Sequence, residues 1–370
     1  MESGDLHHSS AAPYNQHMQQ FPTIRLAIPT RVAVPAKVFG RVWLRRRIGL
    51  LQISAVLLLC CSRISAVEIP KEFQRMIVSI EVPPSAAEQQ ASGGVLPPYR
   101  AAGTGFLVSP DAKDPLTRLT LITAKHVMEG ACLISSRVYL RYIDSPKDTH
   151  GNTIRWELQI CEKTLQRDAH GAPVILSDGS PVVTTRKLWT PHPSVDLAAM
   201  QLPPTLSDSV PPDMKAFRIS DILNDALQRE WDIGASDETF ILAFHPGIMN
   251  GEPSSAVIRH GTIAFFPSGA DTFLVDSFVF PGNSGSPVIL KPTIVNLKGY
   301  QFTVSGNARQ AYLLGVVVEF IPYTDLAISP QTQRPRITFE ENSGLVRAVR
   351  AEKVAELLRA MYPPPTPPAP

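Results

Sequence analysis

Residues 281–287 read Pro281-Gly282-Asn283-Ser284-Gly285-Ser286-Pro287. A β-like run, Phe273–Val279, precedes them, and the apolar Val288–Leu290 follows. Glycines on both sides of Ser284 reach backbone angles closed to other residues. The loop can therefore expose a hydroxyl and aim N–H groups at one point. An acyl-transfer nucleophile needs both, a hydroxyl that attacks and amide donors that hold the oxyanion. A plain Gly/Ser turn would read the same way, so the meaning of the stretch depends on what the rest of the chain supplies.

Working outward, Leu121-Ile122-Thr123-Ala124-Lys125-His126-Val127 is an apolar strand that ends in small residues and then a histidine. An imidazole, with a reference pKa of about 6.5, suits a general base near neutrality. His126 stands out because it closely follows a strand-like run, whereas His150 and His170 sit in polar, Gly-containing stretches. In Ser194–Leu202 a single acid, Asp196, opens the otherwise apolar Asp196–Leu202. A carboxylate in such company is costly unless paired, and an imidazole whose tautomer it fixes is a fitting partner. Taken singly, each residue also has a structural reading: an exposed histidine, or an aspartate capping a turn.

The remainder of the chain predicts an all-β body. Short runs rich in Val, Ile, Phe and Thr recur at Arg75–Val82, Gly105–Val108, Leu119–Thr123, Arg137–Tyr142, Thr239–Phe244, Ser255–Phe265, Ser286–Leu290 and Tyr312–Phe320. Gly, Pro, Asp and Ser clusters separate them, a pattern of sandwiches or barrels and not of βαβ units. One helix is expected over Arg350–Met361, where Val354, Leu357, Leu358 and Met361 fall on one face. The 35 prolines against 22 glycines favour loops and strand edges. Pro203–Pro212 predicts a boundary between two lobes, and Pro363–Pro370, six prolines in eight residues, predicts an extended tail. A ligand for a Pro-binding domain is a minor reading of that tail.

Charge separates the front of the chain from its body. Residues 1–66 carry eight Lys/Arg and two acids, and the remainder carries 27 and 31. A mildly acidic body excludes the basic surface a nucleic-acid binder needs. Arg45-Arg46-Arg47 precedes the 14-residue apolar run Ile48–Cys61, with Ser65 and Ala66 after it. A membrane span needs about 20 apolar residues, so the run predicts a signal-peptide core, with an uncleaved anchor as the alternative. The expected location is outside the cytoplasm, periplasmic or secreted. Cys132 and Cys161 are then the only cysteines of the exported chain; they could pair or stay as two buried thiols.

The trio occurs in the order His126, Asp196, Ser284, each at the edge of a β-like run. An α/β-hydrolase esterase would need a Gly-x-Ser-x-Gly elbow and the order Ser, acid, His, and this chain has neither. With Thr123-Ala124-Lys125-His126-Val127, Asp196-Leu197-Ala198 and Gly282-Asn283-Ser284-Gly285-Ser286-Pro287, the chain resembles the trypsin-like, chymotrypsin-fold serine proteases of the bacterial exported type. Gly103-Thr104-Gly105-Phe106, Ala243-Phe244-His245-Pro246-Gly247 and Asn342-Ser343-Gly344-Leu345 extend the likeness to roughly residues 73–361, toward the Deg-type periplasmic proteases and the glutamyl endopeptidases.

The resemblance implies two packed antiparallel β-barrels with a cleft between them and a short C-terminal helix. Residues 67–203 would form the first barrel with an insertion at 137–189, 213–345 the second, and 346–362 the helix. It implies Ser284 as nucleophile, His126 as base and Asp196 as orienting acid, with Gly282 and Ser284 N–H groups as the oxyanion hole. No metal or organic cofactor is implied. The implied activity is a serine endopeptidase acting on polypeptides, without nucleic acid, and touching a membrane only through an uncleaved export segment. A non-catalytic binding protein on the same fold is the competing function.

Four departures from the pattern matter. Asn283 replaces the acid that pairs with a new N-terminus in animal trypsins. His126 and Asp196 are 70 residues apart, long for the family, with turns expected at His150-Gly151-Asn152 and Asp178-Gly179-Ser180. Phe278 and Val317 fall at specificity-pocket positions, so the side chain before the scissile bond is expected to be small or apolar. The PDZ domains of the Deg type are absent from residues 346–370.

Overall fold

A computed structural model describes residues 71–94, 96–111, 118–142, 154–204, 214–245, 256–298 and 301–363. The export segment, the His150-Gly151-Asn152 turn, most of Pro203–Pro212 and the proline tail lie outside these residues. Among the described residues no helix is long and apolar enough to cross a membrane.

The chain folds as an all-β protein with two sheet bodies, the arrangement expected of a chymotrypsin-like fold. In chain order come β1 (Ile77–Val82), α1 (Ala86–Ala91), β2 (Arg100–Ser109), β3 (Thr120–Thr123), α2 (Lys125–Ile134), β4 (Arg137–Tyr142), β5 (Trp156–Gln159), β6 (Cys161–Leu165), β7 (Val183–Lys187), β8 (Thr190–Pro191), β9 (Ala198–Gln201) and β10 (Phe217–Arg218). There follow α3 (Asp225–Glu230), β11 (Glu238–Ala243), β12 (Val257–Phe265), β13 (Thr272–Asp276), β14 (Pro287–Leu290), β15 (Thr293–Lys298), β16 (Gln301–Arg309), β17 (Leu313–Ile328), β18 (Pro335–Arg350) and α4 (Ala351–Met361).

The first body is an eight-stranded sheet in the order β5-β4-β1-β2-β3-β9-β8, with β10 added to β2. Among the described residues its path is open between β5 and β8, unlike the second body. There β11-β12-β13-β18-β17-β14 close into a barrel. The expected boundary shifts accordingly. Phe217 and Arg218 pair with Val108 and Ser109 of β2, so the chain remains with the first body past residue 213, and the barrel's first strand starts at Glu238. At the other end, residues 346–350 are strand, because Val346 to Arg350 pair within the barrel before the helix begins at Ala351.

Burial explains both bodies. Strand β1 is buried along its whole length, and Ile77, Ile80, Phe106, Leu121 and Ile122 are sealed in the first core. Each such side chain contributes roughly 1.5–3 kcal/mol when taken from water. Phe273, Val275, Val288 and Val346 fill the barrel. Helix α4 follows the barrel's last strand, and its Val354, Leu357 and Leu358 join a core that runs from the first body to Leu242, Ile289 and Val316 of the barrel. Beyond it, the Tyr362 hydroxyl lies 2.9 Å from Thr120 Oγ1.

One charge cluster sits in this interior. The buried Glu81 carboxylate accepts from Arg141 Nε at 2.6 Å and pairs with Arg155. Burying that carboxylate is tolerable only because both guanidinium groups meet it.

Cys132 and Cys161 form a disulfide with Cα atoms 6.2 Å apart, tying α2 to β6. Residues 137–189, expected as an insertion, contain β4 to β7, and β4 pairs with β1 inside the first sheet. Asp178-Gly179-Ser180 is a turn, as its sequence predicts, with Ser180 N donating to Asp178 Oδ1 at 2.9 Å.

Candidate active site

His126 sits in the first turn of α2, directly after β3. The sequence reading had no helix there. Val127, Met128, Ala131 and Cys132 are its buried face, a helical spacing interrupted by Gly130 and too short to stand out. Strands β3 and β9 are neighbours, pairing Thr123 with Ala198, so the turn before β9 lies beside the turn after β3. Asp196 occupies that turn. Its Oδ1 accepts the His126 backbone N–H at 3.0 Å, and its Oδ2 lies 2.6 Å from His126 Nδ1.

This double grip fixes the ring's orientation and leaves Nε2 as its other nitrogen. Partial burial alone would push the Asp196 carboxyl up. The hydrogen bonds from His126, with the charges of His126 and Lys125, outweigh that and hold it below the usual carboxylate range. Buried His192 supports the turn from behind, its Nδ1 accepting from Ser194 N and Val195 N at 3.3 Å each.

Ser284 comes from the barrel, in the loop before β14. Gly282 and Gly285 both take positive φ, 95° and 87°. Asn283 is buried and braces the loop. Its N–H donates to Phe280 O, its Oδ1 accepts from Phe280 N, and its Nδ2 donates to Phe244 O, at 2.9, 2.9 and 3.0 Å. The N–H groups of Gly282 and Ser284 make no hydrogen bond to an acceptor among the described residues.

Glycine contacts bring this loop to the histidine turn. A Cβ on Gly285 would lie 2.0 Å from Thr104 O, 2.2 Å from Thr123 Oγ1 and 3.1 Å from Ala124 N. A Cβ on Gly103 would lie 2.7 Å from both Val127 methyls and 3.1 Å from Ser284 O. Only the missing side chains let the serine loop reach the end of β3. Thr104 joins the two bodies more actively. Its N–H donates to Ser284 O at 2.9 Å and its hydroxyl donates to Gly282 O at 2.9 Å. The same hydroxyl accepts from Phe244 N at 3.1 Å, and its carbonyl accepts from Thr123 Oγ1 at 2.7 Å.

The serine hydroxyl itself is less tightly held. Ser284 Oγ donates to Val318 O at 3.5 Å, and no hydrogen bond joins it to His126. Resting sites often show this looseness and tighten when substrate binds. Beside it opens a cavity of about 250 Å³ lined by Val279, Phe280, Pro281, Ser284, Val317, Val318, Glu319 and Phe320.

No protein-family model matches the chain, and no curated protein matches it. Among solved structures it is similar to Rv3671c from M. tuberculosis H37Rv, crystallised as a mutant in an inactive form. The two are 14% identical, the match covers 78% of this chain and 88% of that one, and the TM-score is 0.34. So loose a likeness transfers no residue between them.

The two residues expected at the specificity pocket differ in their relation to this cavity. Val317 lines it, but Phe278 does not. The Phe278 ring is 57% exposed, its Cζ 3.5 Å from where a Cβ on Gly344 would sit. Thr104 was missed as a bridging residue. Its Gly-Thr-Gly setting marked a close approach, but the partner lies 178 residues away. Among the described residues no three His, Cys, Asp or Glu side chains gather as a metal site.

Proposed function

We propose that the protein is an exported serine endopeptidase. The observation that carries this reading is the serine loop seated against the turn that holds the paired His126 and Asp196. In the proposed reaction Ser284 Oγ attacks the scissile carbonyl carbon while His126 Nε2 takes the hydroxyl proton. The Gly282 and Ser284 N–H groups hold the oxyanion, and Asp196 stabilises the imidazolium. The carbon–nitrogen bond breaks, and Nε2 passes its proton to the leaving amine. Water then attacks the acyl ester and gives a proton to Nε2. That proton returns to Ser284 Oγ as the ester opens and the acid product leaves.

The mostly apolar cavity supports a preference for an apolar residue before the cleaved bond. Its one carboxylate, Glu319, pairs with Arg347. Location outside the cytoplasm is supported by the basic cluster and apolar run at 45–61 and by the Cys132–Cys161 disulfide.

A second reading is a non-catalytic binder, favoured by the 3.5 Å contact of Ser284 Oγ with Val318 O in place of a bond to the imidazole. Labelling the full chain with a fluorophosphonate probe, beside Ser284→Ala, separates the two. The expected result is labelling of the parent only. A folded parent that does not label would favour the binder.

A further inference from the structure

Strands β17 and β18 are 16 residues each, longer than the barrel needs. From Pro322–Asn342 to Ile328–Pro335 they pair only with each other and form a two-stranded arm. Strand β14 meets β17 only from Leu313 to Val316. Val317 N and O are taken by Ser286 O and Gly285 N. From Val318 outward no strand among the described residues lies on the far edge of β17. The ladder places Tyr323, Phe339 and Ile337 on one face of the arm, with Asp325 and Glu341 interspersed, and Leu326 on the other. With Ile328 these large hydrophobic side chains are 44–59% exposed.

A lone two-stranded ribbon is marginal in water, and an open apolar edge is a template for another strand. The position of the edge says which strand. Val318, Glu319 and Phe320, where the edge opens, line the cavity with Ser284, and Val318 O is the contact of Ser284 Oγ. Any chain that adds to β17 is led past the hydroxyl. Two copies pairing edge to edge would compete with substrate for the same strand.

We propose that the arm is an exosite for extended apolar polypeptide. One flank of the substrate adds as a third strand on β17 beyond Phe320, its backbone bonded to the open edge and its apolar side chains laid on the arm's face. Val318 to Ile328 spans about 33 Å at the strand rise, room for roughly ten residues. This inference rests on the reading of Ser284 as the nucleophile and adds a substrate class, unfolded chain segments in preference to short peptides.

The test uses the full chain and fluorogenic peptides with one cleavable core, alone or extended by about eight alternating Val and Thr residues on either flank. Extension on one flank should raise kcat/KM by roughly tenfold or more. Two variants should lose that gain but keep the short-peptide rate and the fluorophosphonate labelling. One replaces 323–341 by an Asn-Gly turn; the other is the triple Tyr323→Ser, Ile337→Ser, Phe339→Ser, which leaves the ladder intact. In Ser284→Ala, fluorescence anisotropy should show the long peptide bound and both arm changes releasing it.

If the parent fails to label, the nucleophile reading falls while anisotropy still judges the arm. The exosite is overturned if neither extension helps, if both help equally, or if the triple variant keeps the gain. It is likewise overturned if the arm changes alter only the monomer–dimer state seen by light scattering.

Discussion

The two bodies contribute to the site in different ways. The first presents His126 and Asp196 already joined, by contacts of 2.6 and 3.0 Å between turns at the ends of adjacent strands. The second presents Ser284 on a loop whose backbone is firmly braced and whose hydroxyl is not, at 3.5 Å from its acceptor. Pairing within a sheet sets the first geometry. The second depends on how closely one body approaches the other, and two glycines and Thr104 govern that approach. Chemistry proposed here is therefore robust within a body and sensitive at the seam.

Removing the charge from the joined half should have the largest effect. Asp196→Asn would permit the wrong imidazole tautomer, and turnover should fall about 10⁴-fold, as the same swap does in a known triad. Steady-state kinetics checks this, and an unchanged rate would show that Asp196 is not the orienting acid. Next comes the seam. Gly285→Ala would drive a methyl into Thr104 O and Thr123 Oγ1 at a φ of 87°. Stability should drop by about 3 kcal/mol from overpacking and strain. Turnover should drop about 100-fold as the loop moves by some 1 Å. A crystal structure with the loop unmoved would remove the seam argument.

Thr104→Val keeps the shape but removes the hydroxyl between Gly282 O and Phe244 N. The orphaned groups should cost about 1–3 kcal/mol. kcat should fall with KM little changed, and Thr104→Ser should restore it. If Thr104→Val and Thr104→Ser behave alike, the hydroxyl does not position the loop.

The smallest effect is one of pH. The Asp196 carboxyl is held below its usual range, so the folded state binds this proton less readily than the unfolded chain. Its contribution to stability is complete above the unfolded value of about 3.9 and is lost as pH falls through the lower folded value. The stability gap between the parent and Asp196→Asn, measured by denaturant titration, should shrink over that acid window. A gap independent of pH there would contradict the assignment.

Much of this was legible because each motif combines a backbone need with a chemical one. Gly282 to Pro287 brackets a serine with glycines, His126 follows an apolar run, and Asp196 opens one. The strand runs were read for the same reason, since Val, Ile and Phe between turn residues fit a buried ladder. What escaped reading depends on distance or ambiguity. Helix α2 hides behind Gly130. The run expected over Tyr312–Phe320 continues as strand to Ile328 because it pairs with β18. Phe278 has the right spacing for a pocket wall, but its ring packs toward Gly344.

Helix α4 has a further consequence, for the order of events during synthesis. Its side chains complete the core that holds His126 and Asp196, and the Tyr362–Thr120 contact closes a separation of 242 residues. A growing chain stopped before Ala351 has the whole first sheet but an unfilled core. The pair of His126 and Asp196 therefore has its full packed support only after the last helix has emerged, so truncation before Ala351 should disturb the first body although it removes none of its strands.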